Sequence, residues 1–157
     1  MSVSSGTERS SVAAHPRLAE LALALGGFAI GTTEFVIMGL MNRIAGDLSV
    51  DPQHVGYAIS SYALGVVVGA PLISCLAARV PKRTLLISLM LVFALGNVAS
   101  ALAPGFWSFV ALRFIAGLPH GAYFGVAALV AAAAVPFNQR ARAVGRVMMG
   151  LTVAILL

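Results

Sequence analysis

Two side chains in this sequence sit where an ionised group is hardest to keep. Glu34 lies inside a long apolar run that begins near Leu18, and Arg113 lies inside another that begins near Trp107. A charge near the centre of a bilayer costs roughly 2.5–3.5 kcal/mol on insertion scales, so one that persists there points first to function. Two tasks suit such a pair. The charges can form a buried ion pair that only fixes helix register, or they can handle a proton. Burial and a neighbouring guanidinium act on a carboxyl's protonation in opposite senses. A carboxyl balanced between them can load and release a proton as its surroundings change. His120 is the next candidate for proton coupling. It shares the general face of Arg113 and follows Pro119, whose missing N–H loosens the local helix ladder. A lone histidine is more often a packing residue than a proton relay.

Around these residues the spacing is helical. Gly27, Gly31 and Glu34 fall on one side of the first run, giving a smooth groove with an acid in it. Arg113, Gly117, Gly121 and Gly125 recur at four-residue intervals, as do Ser61, Gly65 and Gly69, and small residues so spaced let helices approach closely. Pro71 can kink the second run. Tyr62, Asn97 and Tyr123 are candidates for lining a substrate cavity. Tyr62 fits interior packing equally well, and Asn97 and Ser100 fit hydrogen bonds to neighbouring helices.

The elements that hold these residues must be membrane helices. Of 157 residues 60% are apolar and 10% charged, and the mean hydropathy is +0.98, whereas a soluble domain carries about a quarter charged residues. A helix needs about 20 apolar residues to span the hydrocarbon. Four runs qualify: Leu18–Met41, Val55–Leu76, Thr84–Ala103 and Trp107–Val135. A fifth starts near Ala143 and reaches the last residue, Leu157, before it is long enough. Lipid cannot satisfy backbone polar groups, so such runs are helices or a closed barrel, and the lack of two-residue alternation excludes the barrel. The expected class is an all-α membrane protein. Residues 1–17, Ser-rich and without periodicity, read as a disordered tail. The first run is too long for a signal-peptide core and no cleavage site follows it, so it is expected to stay as a helix.

Orientation follows the basic residues. Arg79, Lys82 and Arg83 occupy the second connection, and Arg140, Arg142 and Arg146 the fourth. Arg43 is offset by Asp47 and Asp51 in the first, and the third has no charge. The even-numbered connections, and with them the N-terminal tail carrying Arg9 and Arg17, are therefore expected in the cytoplasm. Trp107 then falls at the outer interface. On this topology Glu34 and Arg113 both lie roughly 10 Å below the outer boundary, where they could pair. The net charge of +5 is a topology signal on this reading, and no nucleic-acid partner is expected. Cys75 is alone, so neither a disulfide framework nor a metal-ligand cluster is expected.

The segment Leu76-Ala-Ala-Arg79-Val-Pro-Lys82-Arg83 resembles the Gly-x-x-x-Asp-Arg-x-Gly-Arg-Arg motif that the major facilitator superfamily keeps between its second and third spans. Arg79, Lys82 and Arg83 match, while Ser74, Ala78 and Pro81 depart, so only the basic cytoplasmic gate is carried over and not the motif's acid. Gly31-Thr-Thr-Glu-Phe-Val-Ile-Met-Gly-Leu, Gly117-Leu-Pro-His-Gly-Ala-Tyr-Phe-Gly125 and Gly150-Leu-Thr-Val-Ala154 are similar to the drug:proton antiporter branch, which includes arabinose-efflux-type and chloramphenicol-efflux-type permeases. Arg113 with Gly117 matches the branch's fourth-helix Arg-x-x-x-Gly pattern, whose arginine is linked to proton transfer. The resemblance covers about residues 18–154.

It implies a major facilitator fold, here truncated to four transmembrane helices plus the start of a fifth, out of twelve spans built from inverted three-helix repeats. It further implies proton-coupled efflux of a small drug-like or sugar-like molecule from a bacterial inner membrane. The proton gradient would supply the energy, no cofactor would be needed, and the remaining helices would be partners. The chain alone is then expected to be an inactive fragment. The alternatives are a complete four-helix exporter acting as a dimer and a non-transporting scaffold. No acid pair or nucleophile with a base suggests an enzyme.

Overall fold

The computed structural model describes residues 16–77 and 79–156. Among them the regular elements are α1 (Pro16–Gly39), α2 (Met41–Asp47), α3 (Pro52–Leu76), α4 (Lys82–Ala101), α5 (Phe106–Ala133), a single 3-10 turn (Phe137–Gln139) and α6 (Arg140–Leu156). Four helices, α1, α3, α4 and α5, are long and apolar enough to cross a membrane. At about 1.5 Å per residue the shortest of the four is roughly 30 Å long, the thickness of the hydrocarbon core. The two ends of the bundle are called lower, where α1 and α6 start, and upper, where α1 ends.

Local chemistry sets the helix starts a few residues earlier than hydropathy suggests. Asp51 caps α3, its side chain accepting from the Gln53 N–H at 2.8 Å, and Pro52 takes the first helical position. Pro81 precedes α4, and at the start of α5 the Gly105 N–H donates to Ser108 Oγ at 3.2 Å. Residues 1–15 of the expected tail lie outside the described residues, and Pro16 and Arg17 belong to α1. The connection expected between Asn42 and His54 is partly helical. Met41, Ile44, Ala45 and Leu48 form an apolar stripe that seats α2 on Ile37, Val55, Ala58 and Phe109 at the upper end. The chain then leaves α2 through Ser49 in the left-handed region, φ 53°.

α5 is the central helix. It packs most extensively on α3, then on α4, and also touches α6 and α1, while α1 packs mainly on α6. Glycines decide both main seams. A Cβ added at Gly65 or Gly69 of α3 would collide with the carbonyls of Phe114 and Leu118, and one at Gly117 of α5 with the Tyr62 carbonyl. At the other seam a Cβ on Gly150 of α6 would collide with the Ala24 carbonyl. Both pairs run parallel, with backbones in direct contact. The outward faces are apolar, with Leu64, Val67, Leu91, Leu95 and Leu129 exposed. A water-soluble bundle does not carry such a surface.

One expectation is corrected here. Gly27 and Gly31 do not leave a groove beside Glu34. Gly27 faces Phe124 and the Val147 carbonyl, and Gly31 faces Ala154 and Leu151. The missing side chains admit α6 rather than solvent. Gly125 has nothing within 4 Å of its added Cβ and takes no part in the α3 seam.

Candidate functional site

The polar cluster is assembled from four helices around α5. Arg113 is 2% exposed, the largest fully buried side chain. Its guanidinium lies over the Tyr62 ring, with Cζ 4.0 Å from the centroid, and Nη1 donates to Asn97 Oδ1 at 3.1 Å. The aromatic face and the amide oxygen compensate part of the lost hydration. Nε has no hydrogen-bond partner. Asn97 is held in turn by its own helix, Nδ2 donating to the Phe93 carbonyl at 2.8 Å.

Two turns along α5 lies His120. Its Nδ1 is 2.9 Å from the Tyr62 hydroxyl and 4.0 Å from Glu34 Oε2. The His120 side chain is 11% exposed and that of Glu34 30%, so the carboxylate is partly open while the imidazole is nearly enclosed. Phe124 packs on the imidazole, ring centroids 5.3 Å apart. Pro119 is fully buried beside it and has no N–H for the carbonyl one turn back. The result is a continuous line, Glu34 to His120 to Tyr62 to Arg113 to Asn97, through otherwise apolar packing. Such a line can hold a proton at several atoms, and its carboxylate end is open.

Glu34 and Arg113, whose matched depth left a direct pairing open, are not paired in this arrangement. Among the described residues Arg146 forms an ion pair with Glu20, and His120 stands within 4.0 Å of Glu34, an ion pair only when the imidazole is protonated. Equal depth did not bring the first two charges together, because Tyr62 from α3 fills the space beside the guanidinium and His120 takes the place beside the carboxylate.

The cavity candidates divide. Asn97 lines a cavity of about 290 Å³ at the upper end, together with Thr33, Asp47, Ser100 and Arg113. Tyr62 is 2% exposed and is buried in the cluster itself. Tyr123 lies outside that 290 Å³ cavity. It is buried, and its hydroxyl donates to the Leu23 carbonyl at 2.9 Å, tying α5 to α1. Ser100 donates to Gly96 of its own helix rather than to a neighbour, whereas Ser61 does bridge helices, donating to the Val110 carbonyl at 3.0 Å.

Arg79, Lys82 and Arg83 are exposed at the lower end, well apart from the polar line. Lys82 and Arg83 open α4, where the helix dipole disfavours cations, so their placement does not serve helix stability. Ala78 of the same motif lies outside the described residues. Among the described residues no cluster of three or more His, Cys, Asp or Glu could hold a metal ion.

Sequence reasoning missed Glu20. Its side chain is 5% exposed and accepts from Arg146 Nη1 at 2.8 Å, joining the lower ends of α1 and α6. The pair borders the larger cavity, about 640 Å³, an apolar groove along the α1–α6 seam walled by Leu21, Leu25, Phe28, Met149 and Val153. That groove holds no member of the polar line. An acid in the first turns of an apolar run, with a basic partner expected only to mark topology, was the available signal.

The family model described as Major Facilitator Superfamily matches residues 23–157. The chain is 48% identical over 134 residues to the inner membrane transport protein YdhP of Escherichia coli, which covers 85% of this chain and 34% of that protein. It is 38% identical over 137 residues to the putative transporter AraJ of Escherichia coli, 87% of this chain and 35% of that protein. The chloramphenicol resistance protein of Streptomyces lividans is 39% identical over 132 residues, 84% of this chain and 34% of that protein. The chain therefore spans about a third of the length of the curated relatives it matches.

Proposed function

This chain belongs to the Major Facilitator Superfamily, and from that premise we propose that it forms part of a proton-coupled exporter of a small molecule. The whole transporter alternates between inward- and outward-open states, and the remaining helices complete the substrate cavity. Its lower end, with Arg79, Lys82 and Arg83, faces the cytoplasm of a bacterial inner membrane, the gate residues lying at the headgroups. Transport is driven by the proton gradient and needs no cofactor. The chain does no enzymatic chemistry. On its own, without the other helices, it carries no substrate across a membrane.

One observation carries the reading: a buried guanidinium and a partly exposed carboxylate are joined through an imidazole and a phenol inside an apolar bundle. Glu34 takes up the proton, His120 exchanges it, and Arg113 sets how readily it leaves. A relative described as a probable sugar efflux transporter, from Helicobacter pylori and 30% identical over 134 residues, supports the export direction. The test is Glu34→Gln in a full-length transporter containing this segment. Proton-driven export in vesicles is expected to vanish while expression and fold are kept, and normal export by that variant would overturn the assignment.

A further inference from the structure

Tyr62 meets its two neighbours in the polar line with two different kinds of surface. Its ring face lies under the Arg113 guanidinium, and its hydroxyl meets His120 Nδ1 at 2.9 Å. The rings of Tyr62 and His120 stand edge to face, centroids 5.7 Å apart, so the hydroxyl lies in hydrogen-bonding reach with little freedom to turn away.

We propose that Tyr62 is a positioning residue that holds the neutral His120 with its proton on Nε2 and ties that tautomer to the place of Arg113. A neutral imidazole has one acceptor nitrogen and one donor. A phenol O–H donating to Nδ1 uses the acceptor, so the ring proton sits on Nε2. The cation over the ring draws electron density out of the phenol, which makes its O–H a better donor and its oxygen a poorer acceptor. Arg113 therefore reinforces the tautomer without touching His120.

The consequence is that His120 exchanges a proton with Glu34 and not with Tyr62. When a protonated Glu34 reaches Nδ1, the carboxyl O–H bond breaks as the Nδ1–H bond forms, and the new N–H needs an acceptor. The Tyr62 oxygen is weakened by Arg113, and Glu34 Oε2 is 4.0 Å away on a side chain with room to move. The N–H bond breaks as the carboxyl O–H forms. The imidazole is neutral again, the phenol turns back to donate, and Tyr62 keeps its own proton throughout. The groups facing His120 are Glu34 from α1, Tyr62 from α3 and Arg113 along α5. The charged residues of α4 and α6, Lys82, Arg83, Arg140, Arg142 and Arg146, all lie at the lower end, and those of α2, Arg43 and Asp47, at the upper end. The role in coupling rests on the proton-coupled reading above, whereas the tautomer does not.

The test uses the 157-residue chain in lipid nanodiscs with ¹⁵N-labelled histidine. There are three histidines, and His120 is assigned by its loss in His120→Gln. The unmodified chain is expected to show His120 chiefly as the Nε2–H tautomer; a dominant Nδ1–H form overturns the proposal without any variant. Tyr62→Phe keeps the ring under Arg113 and is expected to lower the Nε2–H to Nδ1–H ratio about fivefold. Arg113→Gln is expected to lower it about twofold. An unchanged ratio in Tyr62→Phe overturns the positioning role. In the full-length transporter, Tyr62→Phe is expected to shift the pH profile of export and leave substrate affinity in place. A changed tautomer with an unmoved pH profile overturns the link to coupling alone, and so separates this proposal from the Glu34 assignment.

Discussion

The molecule holds two acid–base constellations, and they are built in opposite ways. At the lower end Glu20 and Arg146 touch directly at 2.8 Å, one carboxylate and one guanidinium satisfying each other across the α1–α6 seam. In the upper half Glu34 stands 4.0 Å from His120, and Arg113 is met by an aromatic face and an amide instead of an acid. A closed pair has a single best arrangement and resists a change of protonation. The open line contains a phenol and an imidazole that can both give and take a hydrogen bond, so its protons have more than one possible arrangement. The contrast fits a lower pair that holds helices and, on the function proposed above, an upper line that handles a proton.

The strongest way to break that division is to neutralise both acids separately in a full-length transporter. Glu34→Gln is expected to remove proton-driven export with fold retained. Glu20→Gln is expected to keep coupled export and to lower stability. Coupled export that survives the first change and disappears with the second would reverse the assignment.

A smaller but still large effect is expected from Gly150→Ala. The added Cβ collides with the Ala24 carbonyl, one turn from both Glu20 and Arg146, and must spread the seam. Overpacking of this kind costs about 1–3 kcal/mol. Reversible unfolding in mixed micelles would measure it. The lower pair should loosen while the His120 environment stays as it was; equal disturbance of both would show that the two constellations are one mechanical unit.

Much of this was legible beforehand, and the exceptions share a cause. Hydropathy located four helices within a few residues, because each must match the same hydrocarbon thickness. Glu34 and Arg113 stood out as charges in apolar surroundings. Depth along a helix follows from counting residues, but rotation about the helix axis and the crossing of neighbours do not. Equal depth therefore suggested a contact that Tyr62 and His120 intercept. The same gap hid α6 behind Gly27 and Gly31: small residues announce a close approach without naming what approaches. Glu20 escaped notice because an acid near the membrane interface is unremarkable until its partner, 126 positions along the chain, is placed beside it.

A double-mutant cycle on Glu20 and Arg146 sharpens the comparison further. Arg146→Ala leaves a carboxylate that is only 5% exposed without its donor, and the loss is expected to be about 2 kcal/mol. The coupling energy between the two sites should be about 1–2 kcal/mol, at the upper end for polar contacts within membranes. A coupling near zero would mean that water already serves Glu20, and the pair would lose its role as a fastener.

The smallest effect is the most discriminating, because it compares one chemical change at two places. Tyr123→Phe and Tyr62→Phe each delete a single hydroxyl from a buried aromatic on a membrane helix. The Tyr123 hydroxyl ends on the Leu23 carbonyl, a group that neither titrates nor changes tautomer, so its removal is expected to cost about 0.6–1 kcal/mol and nothing else. The His120 tautomer ratio should be unchanged in Tyr123→Phe. The Tyr62 hydroxyl ends on an imidazole, so its removal should alter the chemistry of the line even where the loss in stability is the same. If the two variants match in stability and differ in the imidazole signal, the distinction between fastening and proton handling rests on what each hydroxyl meets. If both leave the imidazole unmoved, the upper line is only another fastener.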